Sequence, residues 1–362
     1  MDRGDDPGGV AHDAWLPSPG YLNASTLGLP PARTADAVRR AVDAWQAGQA
    51  CPVGYGEHVE ASRSLFARLV GVPAGWVAVG SQASVMVAEV AVRVADDALV
   101  LTVDGEFTSV TGPFESQAHR GVRTVGVPLE QLADAVRARR PSVVAFSLAQ
   151  SADGRVVAVD ALVEAARECG ALTVCDITQA AGWLEVDAGR WDVTVCSAYK
   201  WLCAPRGSAF LTVAPGAMDR LSGHNAGWYA GEDVWASVYG PGLTTATDAR
   251  RFDVSPAWLS WVGTRTSLEV LLDLSPAVRR RHGADLADRL RMRVGMAEEG
   301  RPVVCLPDPD GHVLSALTAA GCTAAARAGR ARLSFHLWND DEDVDRVVDA
   351  LARYPSVRLT PA

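Results

Sequence analysis

The sequence predicts an α/β fold: a mostly parallel seven-stranded sheet with helices on both faces, followed by a smaller α+β unit. Three observations predict it. Between residues 76 and 213, short Val-rich runs alternate with helical patterns, the signature of a parallel sheet built from strand–helix repeats. Several of those runs are almost continuously apolar, as strands covered on both faces must be. Beyond residue 300 the pattern changes to a few strand-like stretches and one acidic amphipathic helix.

The expected strands are "WVAVGS" (76–81), "ALVLTVD" (98–104), "VRTVGVP" (122–128), "SVVAFSL" (142–148), "ALTVCD" (171–176), "DVTVCS" (192–197) and "SAFLTV" (208–213). "QASVMVAEVAVRVA" reads as the helix after the first strand. "LEQLADAVRARR" and "VDALVEAARECG" read as helices before the fourth and fifth strands, the latter ending on a glycine stop. Upstream, "PPARTADAVRRAVDAWQAG" has proline near its start and glycine at its end. Residues 214–255 are rich in Gly, Trp, Tyr and Pro and weakly periodic; so long an irregular stretch tends to be functional. Helices follow near "SPAWLSWVGTRTSLEVLLDL" and "ADLADRLRMRVGMAEEG". The tail then offers strand-like "PVVCLP", "HVLSAL" and "RARLSFHL" and the helix "DEDVDRVVDALARY". The expected division is a large unit at 20–255 and a smaller one made of 1–19 and 256–362.

Composition bounds the function. The 362 residues are 48% hydrophobic with a net charge of −9, enough for about two domains. The acidic balance and the lack of a basic run argue against nucleic acid as a partner. Seven cysteines show no C-x-x-C pair, which favours a reducing compartment over a disulfide or zinc framework. "MDRGDDPGGVAHDAW" has neither the basic start nor the apolar run of a signal peptide. No apolar stretch of about 18 residues suggests a membrane span. A cytoplasmic protein is expected. His58, His119, His224, His282, His312 and His336 have no metal-like spacing and read as surface or loop residues, with His224 the exception worth testing. Trp228 and Trp235 could line a substrate mouth or simply pack.

One residue stands apart. Lys200 is the only lysine; the other 33 of the 34 basic residues are arginines. Codon bias accounts for the arginines but not for the position of the exception. Guanidinium stays protonated, whereas an ammonium can lose its proton and form a Schiff base with an aldehyde. Lys200 follows a predicted strand end, 24 residues beyond Asp176, which ends the strand before it. Ligands of parallel α/β sheets bind outside the carboxyl ends of the strands. The same edge receives "GSQAS" (80–84), a strand-to-helix turn able to hold a phosphate or merely to cap the helix. Phe107 in "DGEF" also falls there, as core or as a stacking surface. An amine, an acid for a buried cation, a phosphate cradle and an aromatic plate together are what pyridoxal phosphate requires. "WLCAPRG" beyond the lysine reads only as the turn that positions it.

At these residues the chain resembles the fold-type I pyridoxal-phosphate enzymes, in the class V aminotransferase group with cysteine desulfurases and kynureninases. "YLNASTLGLPP" (21–31) is similar to the group's N-terminal segment. The resemblance implies pyridoxal 5'-phosphate as cofactor, with Ala83 and Ser84 in the phosphate cup and Phe107 against the ring. From "DITQ" (176–179) it implies Asp176 on the pyridine nitrogen and Gln179 near the phenolic oxygen. From "SAYK" (197–200) it implies Ser197 and Tyr199 on the phosphate and Lys200 as the covalent attachment point. "RFDVSP" (251–256) implies a phosphate contact from Ser255 of a neighbouring subunit, hence a homodimer with a shared site. "RLSF" implies Arg332 as the clamp on the carboxylate of a small amino-acid substrate; surface pairing with the acidic helix that follows is the alternative. Ser151, or Gln150 beside it, falls where the family often has a ring-side Asn. A desulfurase needs a nucleophilic Cys on a loop before that arginine; here the loop looks deleted and Cys322 reads as a small core residue. Aminotransferase and C–S β-lyase activities are both expected readings. An epimerase or racemase, or a kynureninase-like hydrolase, is the alternative. A regulator that binds the cofactor without turnover is disfavoured by the absence of a basic footprint.

Overall fold

The structure is a computed structural model that describes residues 14–353. Most of the acidic N-terminal stretch, assigned above with residues 1–19, lies outside the described residues, as does the predicted end of the last helix at 354. Seven strands form where the apolar runs fall: β1 (Val77–Gly80), β2 (Leu99–Val103), β3 (Arg123–Val127), β4 (Val143–Ser147), β5 (Leu172–Asp176), β6 (Val193–Ser197) and β7 (Ala209–Val213). They make one sheet in the order β1-β7-β6-β5-β4-β2-β3. The pairs β2–β3, β2–β4, β4–β5 and β5–β6 are parallel, and β7 runs antiparallel to both its neighbours.

Every residue of β4, β5, β6 and β7 is buried, which explains why these strands read as continuous rather than alternating. One face of the sheet meets a core that includes Phe66, Phe146, Trp191, Phe210 and Trp261. The other meets Met86, Val90, Phe114 and Phe252. Each fully buried Val, Leu or Phe of this kind stabilises the fold by roughly 1.5–3 kcal/mol.

The helices around the sheet are α1 (Ala32–Gln46), α2 (Pro52–Leu69), α3 (Ala83–Ala91), α4 (Thr108–Glu115), α5 (Leu132–Arg139), α6 (Val159–Cys169) and α7 (Trp258–Asp273), whereas α8 (Pro276–Arg293) packs on the smaller C-terminal unit. Two of them, α2 and α4, were not predicted. Gly54 and Gly56 weaken α2, and Gly112 and Pro113 weaken α4. Tertiary contact outweighs propensity in both: Phe66 stacks on Phe210 with ring centroids 4.0 Å apart, and Phe114 is fully buried.

A second, antiparallel sheet has the order β8-β10-β9, from β8 (Val303–Pro307), β9 (Ala325–Arg327) and β10 (Arg330–Ser334). It is joined by α9 (His312–Ala319) and α10 (Asp341–Ala352). "HVLSAL", expected as a strand, is α9. Asp308 accepts from the backbone N–H groups of Val313 and Leu314 at 2.8 and 2.9 Å, and this cap starts a helix that buries Val313, Ala316 and Leu317. One face of the small sheet packs Val304, Leu306, Ala331 and Leu333 into a core with Leu286, Leu290 and Val347; Cys322 is buried there too. The opposite face meets the large sheet's loops: Val303 joins the large core, and Cys305 Sγ donates to the Ala152 carbonyl.

The N-terminal segment runs between the two sheets. Leu22 bonds to Thr323 and Ser334, and the Gly28 N–H donates to the Tyr199 carbonyl at 2.9 Å. Only glycine fits at position 28, because a Cβ there would lie 2.0 Å from the Lys200 carbonyl oxygen.

Candidate active site

The carboxyl ends of β1, β2, β4, β5 and β6 share one edge of the sheet, as their pairing directions require. At that edge a small cleft of about 40 Å³ is lined by Gln82, Ala83, Phe107, Ser109, Asp176, Thr178, Ser197, Tyr199, Lys200 and Arg206. Six residues singled out from the sequence therefore meet here: Ala83, Phe107, Asp176, Ser197, Tyr199 and Lys200.

Short-range bonds hold them. Asp176 Oδ1 accepts from the Thr178 N–H at 2.7 Å, Thr178 Oγ1 accepts from the Ser197 N–H at 3.0 Å, and Ser197 Oγ accepts from the Ala83 N–H at 3.2 Å. The chain of bonds thus links the end of β5 to the end of β6 and to the N-terminus of α3, where free N–H groups favour an anion. Lys200 Nζ stands 5.0 Å from the centre of the Phe107 ring. Arg206 lies 5.0 Å over the Tyr199 ring.

Ser84 is half-buried in the first turn of α3 but does not line the cleft. Ser255 is exposed and outside it. Arg332, Ser151 and Gln179 form a cluster of their own. Arg332 donates to the Ser151 carbonyl and, at 2.8 Å, to the Thr26 hydroxyl. Gln179 Nε2 donates to Ser151 Oγ at 3.2 Å and to the Ser25 carbonyl at 3.0 Å, and its Oε1 accepts from Trp201 Nε1 at 2.8 Å. Gln179 thus has its amide occupied by the chain itself.

The buried charges explain the chemistry on offer. Lys200 is 6% exposed, and burial lowers its ammonium pKa to about 8, against the pull of Asp176 and helped by the charges of Arg332 and Arg327. Burial raises the Asp176 carboxyl above its ordinary range; the Thr178 bonds and Lys200 pull it back, and Glu106 pushes it up further. Arg332 is lowered to about 10, first by burial and then by Arg327, and its Nε is a buried donor without a partner. Among the described residues, neither Lys200 nor Arg332 has a carboxylate within ion-pair distance. The site is therefore short of anions, which a phosphate and a carboxylate would supply.

Several residues escaped the sequence reading. Arg206 is the clearest: "WLCAPRG" is more than a positioning turn, since it returns a guanidinium to the cleft. Thr178 occupies an unassigned position of "DITQ". Glu106 sits between the ends of β2 and β4. Their ladder is registered only at Val100–Val143 and Leu101–Val144; beyond it, Glu106 accepts from the Ser147 N–H, the Ser147 hydroxyl and Gln150 Nε2 at 2.7, 2.6 and 3.2 Å. It also accepts from the Phe107 N–H at 2.7 Å. An acid directly before an aromatic residue at a strand end was the available signal. His336 is a correction: it is 3% exposed, not a surface residue. His224 is exposed, and its backbone N–H donates to buried Glu89 at 2.6 Å. Trp228 and Trp235 pack on each other, 5.4 Å between centroids, and neither lines the cleft. Among the described residues no His, Cys, Asp and Glu cluster could hold a metal, and no helix is long and apolar enough to cross a membrane.

The layered sheet with a lysine at its carboxyl edge is the fold of the type I pyridoxal-phosphate enzymes. It superimposes on the cystine C–S lyase C-DES, in complex with its product cysteine persulfide, with a TM-score of 0.81 at 17% identity, over 92% of this chain and 97% of that one. It is similar to the apo cysteine desulfurase of Thermococcus onnurineus NA1 with a TM-score of 0.80 at 18% identity, over 92% and 94%. The chain belongs to the class-V aminotransferase family, whose pattern matches residues 53–313, and it is a pyridoxal-phosphate-dependent enzyme. In sequence it is 28% identical over 336 residues to the isopenicillin N epimerase of Streptomyces clavuligerus, 80% of this chain and 83% of that protein. It is also 33% identical over 153 residues to the kynureninase of Deinococcus radiodurans, 40% of this chain and 36% of that one.

Proposed function

We propose that this enzyme moves the α-proton of a small amino acid, with Lys200 as acid and base and Arg332 as the clamp on the substrate carboxylate. One observation carries the reading: the two cations buried at the carboxyl edge, Lys200 and Arg332, are left without carboxylate partners by the chain itself.

The residues present fit pyridoxal phosphate. When bound, it supplies an electron sink that makes an amino acid's α-proton acidic. Asp176 would face its ring nitrogen, where a buried carboxylate favours a protonated partner. Phe107 would cover the ring. Gln82, Ala83, Ser197, Tyr199 and Arg206 would hold the phosphate, with Ser84 on the same helical turn. Ser255 would serve the site of a second subunit in a homodimer. Gln179 would reach the cofactor's phenolic side by exchanging its Ser151 bond, and Ser151 would remain beside Arg332. Lys200, titrating near 8, can both accept and return a proton close to neutral pH, as a general base and acid requires.

Where that proton is returned decides the net reaction. Return to the opposite face of Cα, from a second proton donor across Cα from Lys200, is epimerisation, and this is the reading we favour, because the likeness to an epimerase runs along 80% of the chain. Transamination and C–S β-elimination are the competing outcomes. The likeness to a C–S lyase at 17% identity speaks for the fold alone. A persulfide-forming desulfurase has no support from Cys322, which is buried under the small sheet.

The test is an amino-acid panel in deuterated water with the cofactor-loaded protein. Epimerisation gives α-deuterium with inversion; transamination gives a keto acid; elimination gives pyruvate and ammonia. Borohydride treatment should fix the cofactor on the peptide carrying Lys200. A protein that takes up no cofactor would sink the reading.

A further inference from the structure

The face of the small sheet that meets the large sheet's loops carries a row of arginines. In the β9–β10 pair, Arg327 stands opposite Arg330, and Ala325 opposite Arg332. Residues opposite one another share a face, as do residues two apart along a strand. Arg327, Arg330 and Arg332 therefore leave the same side of the sheet. The other side holds Ala331 and Leu333 in the core. A two-residue turn, Ala328 with φ 48° and Gly329 with φ 70°, joins the strands, so the backbone under Arg327 is a tight hairpin.

The three arginines differ in what meets their charge. Arg330 Nη1 lies 3.8 Å from Asp153 Oδ2. Arg332 finds only the neutral acceptors Ser151 and Thr26. Arg327 donates to the adjacent Ala326 carbonyl and makes no ion pair among the described residues. Its charge is nonetheless felt by both Lys200 and Arg332. Across an antiparallel pair, Arg327 and Arg332 are diagonal neighbours, about 7–8 Å apart. That is the separation of the backbone positions, from which two long arginine side chains can converge on the two carboxylates of one acidic amino acid.

We propose that Arg327 forms a second anion subsite and that the substrate is an amino acid whose side chain ends in a carboxylate. The inference rests on Arg332 holding the α-carboxylate. Arg332 fixes the end next to Cα, and Arg327 takes the distal carboxylate through a guanidinium fork. Because Arg327 is exposed, it contributes to binding and selection rather than to the proton transfer.

The experiment uses the single lysine. In cofactor-free protein, acylation of Lys200 by an amine reagent is followed by peptide mass, with glutarate or butyrate present. Glutarate should slow the labelling several-fold at concentrations where butyrate does not, and Arg327→Gln should abolish the difference while Arg327→Lys keeps part of it. In the loaded enzyme, Arg327→Gln should raise KM for L-glutamate or L-2-aminoadipate about tenfold, leave kcat within about twofold, and leave L-norvaline unaffected. Equal protection by glutarate and butyrate, or an unchanged KM for the acidic substrates, overturns the proposal. The labelling needs neither cofactor nor turnover, so it decides the subsite even if Lys200 does not carry the cofactor.

Discussion

Two buried arginines, Arg63 and Arg332, show opposite ways of handling a charge. Arg63 is 3% exposed and donates to both oxygens of Asp253, at 3.1 and 2.7 Å. It also reaches Glu60 at 3.0 Å and the Val77 carbonyl. Asp253 in turn accepts from the Val79 N–H at 2.7 Å, so the pair rivets the segment before α7 to the edge strand β1. Arg332 is 1% exposed and has only neutral acceptors and an unpartnered Nε. Burying a charge without a counter-charge is costly. The chain can satisfy a buried guanidinium where rigidity is needed; where it leaves one unmet beside Lys200, a ligand is the missing partner.

The largest effect expected is at Lys200. Lys200→Ala should lower turnover by on the order of a thousandfold or more, with an unchanged or higher midpoint of thermal unfolding, since an uncompensated buried ammonium is removed. Lys200→Arg should be equally inactive. Next come the two arginines. Arg63→Ala should cost about 3–5 kcal/mol in urea unfolding, because it leaves the buried Asp253 carboxylate alone; Asp253→Ala should cost less, because Glu60 still meets Arg63. Arg332→Met should leave stability within about 1 kcal/mol or raise it, yet lower kcat/KM about a hundredfold. An Arg332→Met protein destabilised as much as Arg63→Ala would erase the distinction.

The sheet was legible because it is redundant: β4 to β7 are buried along their whole length and mostly apolar, and a one-residue error there changes nothing, while the edge strand β3 buries only Val127 and was legible from its β-branched residues. "HVLSAL" was misread because a short apolar run fits strand or helix equally. The deciding group, Asp308, stands five residues before the first N–H it caps. The rivet at Asp253 was invisible, since "RFDVSP" says nothing of Arg63, 190 positions away. In the site, Asp176 and Lys200 were legible from their residue types and strand-end positions. Arg206 was not, because one arginine among 33 carries no signal until the turn brings it back over Tyr199. Glu106 was hidden for a different reason: its partners are backbone N–H groups, the Ser147 hydroxyl and the Gln150 amide, brought to it only where β2 and β4 part.

A third kind of buried titratable group sharpens the contrast. His336 packs among Trp15, Trp201 and Trp338. Its Nε2 donates to the Trp201 carbonyl at 2.9 Å, and its Nδ1 accepts from the Leu337 N–H at 2.7 Å, which requires the neutral ring. Burial lowers its pKa to about 4. The unfolded chain takes up this proton near pH 6.5, and the folded one only near 4. Between those values the unfolded state binds more protons, so stability should fall as pH drops through that window, by on the order of 2–3 kcal/mol. Urea unfolding at pH 7.5 and pH 5 should show the fall, and His336→Phe should flatten it.

The smallest effect bears most directly on the unmet charges. An amine reagent can modify only Lys200 and the α-amino group, so the pH dependence of Lys200 acylation reads one residue in the cofactor-free protein. With its pKa lowered to about 8, the labelling rate should rise through pH 8, whereas an ordinary lysine titrates near 10.4. Arg332→Gln should move the midpoint up, because a neighbouring cation is lost. Asp176→Asn should move it down, because the anion that favours the ammonium is lost. Each displacement should be about one unit or less. Arg63→Gln is the control: its charge is already met by Asp253 and does not figure among the groups acting on Lys200, so it should leave the midpoint in place. A wild-type midpoint near 10 would mean that Lys200 is solvated, and the contrast between met and unmet charges would fail where it matters most.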